Sequence, residues 1–120
     1  MKLNTMKKES DILKFTVSLV EFLKSEDIAY ASAGNYSLKE DAIKKYYSEL
    51  GLEYDESTNL RVDINVKSYK EDKNVEYDIL KIVEITSSYK LDSKDYSYNI
   101  SNVYEKEYDK TSEKFKDILN

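Results

Sequence analysis

Cysteine, histidine, proline and tryptophan are absent from this chain of 120 residues, glycine occurs twice, and Arg61 is the one arginine among 19 basic residues. Each absence removes chemistry. Cys₂His₂ and Cys₄ zinc sites, thiol nucleophiles, Ser-His-Asp triads and imidazole acid–base catalysis all need side chains that are missing. With no cysteine, the redox compartment is undetermined, since a cysteine-free chain suits either one.

The balance of 19 basic and 24 acidic residues gives a net charge of −5. Lysines alternate with carboxylates rather than forming a stripe, and the guanidinium forks that favour phosphate are lacking, so direct nucleic-acid binding is not expected. An acidic surface suits a basic partner. The N-terminal "MKLNTMKKES" carries lysines like a signal peptide, but Lys14 and Glu21 interrupt the apolar run that follows, and no small-residue cleavage site is evident. The expectation is therefore no signal peptide, no membrane span and a cytoplasmic location.

The length fits one domain, residues 1–120, with residues 1–9 as a mobile N-terminal tail. Ser10 opens a helical pattern that runs to about Ser25. Its apolar residues, including Ile12, Leu13, Phe15, Val17, Leu19 and Phe22, cover over half the wheel and predict a largely buried helix. Ser37 and Glu40 form a capping box for a second helix, with Gly51 placed as its C′ residue. Between the helices "AYASAGNYS" reads as a tight connection; the alternative is an anion-cradling loop at Gly34, although the phosphate-loop glycine spacings are missing.

After residue 59 the period changes to two. Leu60, Val62, Ile64 and Val66 alternate with polar residues as in a half-buried strand. "VEYDILKIVEITSSYKL" is a second strand, in which Leu80, Ile82, Val83 and Ile85 predict apolar residues on both faces or a bulge. "LDSKD" is a turn. The remainder reads as a strand to about Tyr104 followed by a short terminal helix, in preference to one long helix. The predicted fold class is α+β: two N-terminal helices on a three- to four-stranded antiparallel meander, closed by a short C-terminal helix. This element order is similar to NTF2-like and cystatin-like domains at the level of architecture.

Carboxylates, tyrosines, lysines and serines are the groups left for catalysis. Glu53, Asp55 and Glu56, with Glu49, make the densest acidic patch, but they fall in a polar connection where little would shift a pKa as a glycosidase requires. "DESTN" resembles the first half of a calcium loop, yet Leu60 and Val66 occupy the places of its glycine and its glutamate. No catalytic, metal or cofactor site is therefore expected.

Tyrosine, 12 of 120 residues, is the most unusual count. It supplies rigid amphipathic contact area and is enriched at protein interfaces. The expected partner-binding residues are Tyr89, Asp92, Asp95, Tyr96 and Tyr98 around the turn, together with Glu53, Asp55 and Glu56. The expected function is a non-enzymatic module that binds a protein, such as a small phage or mobile-element inhibitor of a larger nucleic-acid-binding enzyme. The alternative is a ligand-binding or assembly domain of an envelope or secretion-associated protein. An antiparallel edge left open would also allow a homodimer.

Overall fold

Alternation of apolar and polar residues over three long segments builds the sheet, and two amphipathic helices cover one of its faces. The computed structural model describes residues 3–111 and 113–120. Its elements are α1 (Leu3–Ser25), β1 (Gly34–Ser37), α2 (Glu40–Glu49), β2 (Arg61–Tyr69), β3 (Asp78–Leu91) and β4 (Lys94–Tyr108). The four strands form one antiparallel sheet in the order β1-β2-β3-β4. The architecture is α+β.

Several boundaries differ from expectation. α1 begins at Leu3, so the residues expected as a tail from position 3 onward form its first turns. Met, Lys and Glu favour a helix through Ser10, and Lys8 and Thr5 reach Asp55 and Asp92 in other elements. Ser37 is not a helix cap. It ends β1, its hydroxyl bonds Asp63 at 3.1 Å, and Lys39 occupies the N-cap of α2 without a side-chain bond. Tertiary pairing with β2 has outcompeted the local capping box. Gly51 does terminate α2 as expected: its φ of 72° is left-handed, and its N–H donates to the Ser48 carbonyl at 2.9 Å.

The connection "AYASAGNYS" contains the end of a 3₁₀ turn, Ile28–Tyr30, and the whole of β1. β1 is the fourth strand, pairing Asn35 with Asn65 and Ser37 with Asp63. At the other end of the chain β4 continues to Tyr108, and residues 114–118 form turns where a short helix was expected. Those turns insert Phe115 into the core and bring Leu119 beside Leu38, while the Asn120 N–H donates to the Ser37 carbonyl at 2.8 Å. Tertiary contact, rather than helix propensity, holds this segment.

The core lies between the sheet and the helices. Ile12, Phe15, Leu19 and Leu23 of α1 and Ala42, Ile43 and Tyr47 of α2 pack with Val62, Ile64, Val66, Val83 and Ile85. α1 contacts β3, β4 and α2, whereas α2 contacts β2. α1 therefore sits towards the β4 side of the inner face. In β3 the buried set is Lys81, Val83, Ile85, Ser87, Tyr89 and Leu91, and a register shift between Asp78 and Leu80 resets the alternation. Leu80 and Ile82 consequently point to the open face, so both halves of the expectation for this strand hold.

Candidate protein-docking surface

The turn between β3 and β4 is two residues long, and both Asp92 (φ 51°) and Ser93 (φ 66°) are left-handed, as a type I′ hairpin requires. Below the turn Tyr89 stacks on Tyr96 at 5.6 Å and 19° and contacts Tyr98 at 5.6 Å. Tyr89 is buried, Tyr98 half-buried and Tyr96 exposed. Burial, aided by a hydrogen bond with Tyr98, pushes the Tyr89 hydroxyl above the ordinary tyrosine range.

The structure brings the acidic loop close to this hairpin by way of the first turns of α1. Lys8 forms an ion pair with Asp55, and the Thr5 hydroxyl donates to Asp92 at 3.2 Å. Lys8, with help from the Ser57 hydroxyl and N–H, holds the Asp55 carboxyl down at about 2. Glu56 is paired with Lys44 at 2.8 Å, and Lys90 lies 3.9 Å from Asp95. Glu53 is exposed. The tip thus carries interleaved charges of both signs, with Asp55 and Glu56 already holding lysines of the same chain. Depressions of about 400 Å³ and 300 Å³ occur on the open sheet face, lined respectively by residues around Arg61 and Lys90 and by residues around Asn65 and Thr86. Among the described residues no group of three or more carboxylates could hold a metal ion, and no helix is long and apolar enough to cross a membrane.

A second surface combines the open antiparallel edge that the sequence allowed for with a flank of α1 that it did not single out. β4 is 15 residues long and pairs with β3 on one side. Among the described residues no strand pairs with its other side. The opposite edge of the sheet is different: β1 has four residues, and the C-terminal segment bonds to its end. Natural edges are protected by shortness, cover or charge. β1 has the first two. β4 carries charges near its ends, but Tyr96–Tyr104 contains none.

Beside this edge runs an apolar stripe. Phe15 and Phe22 of α1 meet Tyr47 and Tyr46 of α2. At 3.6 residues per turn, Met6, Leu13 and Val17 lie about 160–200° around the helix from Phe15, on the flank turned away from α2. Their exposures are 50%, 44% and 46%. Leu13 and Val17 were expected in the buried arc. They are uncovered because, among the described residues, the sheet ends at β4 on that side of α1. The signal that could have found them is their helical spacing, Leu13 seven residues after Met6 and Val17 four after Leu13. Burial raises the Tyr104 hydroxyl's pKa, with the charges of Tyr108, Glu21 and Asp27 adding to it.

Compared with protein-family models, curated proteins and solved structures, the chain matches none.

Proposed function

We propose that this protein is a non-enzymatic protein-interaction module that joins another polypeptide along β4 and the adjoining flank of α1. The observation that carries this reading is the side-by-side placement of an uncharged strand edge, Tyr96–Tyr104, and the exposed stripe Met6, Leu13 and Val17. Backbone donors and acceptors of a free edge bind an added strand, and the inward residues of that strand are covered by the neighbouring layer. The expected residues Tyr96 and Tyr98 belong to this surface. Asp55 and Glu56 support it indirectly, by fixing Lys8 and Lys44.

In its narrower form the module is a small inhibitor whose net charge of −5 suits a basic surface on a nucleic-acid-binding enzyme. An assembly domain is the second form, and the β4 edge favours it.

The lack of cysteine makes the test direct. Single-cysteine variants Ser101→Cys, on β4, and Glu53→Cys, in the acidic loop, are each labelled with a photo-crosslinker. A discrete adduct from position 101 and none from position 53 is expected. Adducts from position 53 alone would overturn the β4 reading and move the docking site to the acidic loop.

A further inference from the structure

We infer that the polypeptide that covers this flank is a second copy of the same chain, paired β4 to β4 in antiparallel fashion about a two-fold axis perpendicular to the sheet. The inference rests on the preceding reading of the flank as a docking surface and adds the identity of its occupant.

The flank makes two demands. The strand edge needs backbone hydrogen-bond partners, and the stripe on α1 needs apolar cover one layer above. An isolated extended segment pairs with the edge but offers the stripe only its inward side chains, with no second layer of its own. A folded copy meets both, because each copy carries edge and stripe in the same relation, as an isologous interface requires. α1 contacts both β3 and β4, so its axis lies above the space between them. With strands about 4.8 Å apart, two-fold pairing at β4 sets the two α1 axes roughly 14 Å apart if each lies over its own β3, and about 10 Å apart where each lies midway between β3 and β4. The closer value is a helix-packing distance. Thr16 bonds to Ser87, which is paired with Tyr98, so Val17 lies near the middle of β4, within two residues of Ile100 along the strand.

The strand is suited to pairing with itself. Centred on Ile100, the neutral stretch sets Tyr96 against Tyr104 and Asn99 against Ser101, both favourable cross-strand combinations. Beyond it Asp95 would oppose Glu105, which confines pairing to the neutral residues. Nine paired residues span roughly 30 Å, and the strand edge with the helix above it is roughly 20 Å deep. Each copy then covers about 600 Å², so the total of about 1,200 Å² exceeds the threshold of about 1,000 Å² for a stable interface.

The test is sedimentation equilibrium of the purified full-length chain and of two double variants, Leu13→Glu/Val17→Glu on α1 and Asn99→Lys/Ser101→Lys on β4. All four positions are exposed, so far-UV circular dichroism should remain unchanged. The wild type is expected to approach twice the 14.1 kDa chain mass as concentration rises. Each double variant should dissociate at least about tenfold more readily. High salt should not weaken the dimer, because both copies carry −5. A wild-type monomer at every concentration, or a dimer that neither variant weakens, would overturn the inference. A monomer that still yields a heterologous adduct from position 101 leaves the docking reading standing. A monomer with no adduct there removes both.

Discussion

Lys81 lies inside the core at 2% exposure and donates from Nζ to the Ala31 carbonyl oxygen at 2.9 Å, 50 residues away in sequence. Its ammonium also lies 3.6 Å from the Asp78 carboxylate and 5.8 Å from the Tyr108 ring centre. This lysine ties the 3₁₀ turn before β1 to the middle of the sheet and holds an otherwise buried charge among partners. Lys81→Met keeps the volume but leaves the Ala31 carbonyl without its donor, and should cost about 1–3 kcal/mol in urea unfolding. Lys81→Ala also removes the stem and should cost about 3–5 kcal/mol. Equal midpoints for Lys81→Met and wild type would mean that water replaces the ammonium.

Six tyrosines should ionise late. Burial is the leading cause that raises Tyr46, Tyr47, Tyr54, Tyr89, Tyr104 and Tyr108, with Tyr47 pushed up to about 12. A raised tyrosine favours the neutral form in the folded state. Its stability contribution is thus complete below the unfolded value of about 10 and is lost as pH rises through about 12 for Tyr47. With no tryptophan to interfere, tyrosinate absorbance from these raised tyrosines should appear in a late phase coincident with loss of far-UV signal. One phase accounting for all 12 tyrosines would contradict this packing.

The Lys8–Asp55 pair has the opposite sign. Its depressed carboxyl contributes stability that is present above the unfolded value of about 3.9 and is lost as pH falls towards about 2. The pair is a third exposed, so no more than about 1 kcal/mol is expected. In Lys8→Met the difference in urea midpoint from wild type should shrink across that acid window. A difference that stays constant with pH would show that Lys8 acts through packing of its stem.

Ser93 at φ 66° is the weakest residue choice in the β3–β4 turn. Ser93→Gly gives the Asp-Gly pair that type I′ turns favour and relieves left-handed strain, offset in part by glycine's unfolded-state entropy. A gain of up to about 1 kcal/mol in thermal or urea unfolding is expected. Destabilisation would mean that the serine side chain makes a contact that outweighs its backbone strain.

Much of the secondary structure was legible because it repeats a period. Leu60 to Val66 in β2 and Val83 to Leu91 in β3 alternate, and Gly51 marks the end of α2, and the Asp92-Ser93 turn the end of β3, by backbone geometry that few residues adopt. Where local signals competed, tertiary contact prevailed. Ser37 satisfies a capping pattern and a strand pattern equally well, and pairing with Asp63 of β2 decided between them. Ser10 could cap a helix, but nothing in its neighbours stops the helix from beginning earlier.

The candidate surface was only half legible. Tyr89, Tyr96 and Tyr98 were identified by composition and do cluster, yet their alternation gives no hint that β4 has a partner on one side only. Leu13 and Val17 look like core residues to any periodic reading, and they are exposed because, among the described residues, no strand follows β4 in the sheet.

What the sequence determined by itself is therefore the excluded chemistry, the α+β class, the polarity of the two faces of β2 and the place of the main hairpin. These depend on residue type and on spacing along the chain. The tertiary structure alone decided that Lys81 is buried, that the residues after Ala33 supply an edge strand, and that one flank of α1 is bare. Periodicity states which residues share a face. It carries no information on how many neighbours that face will find.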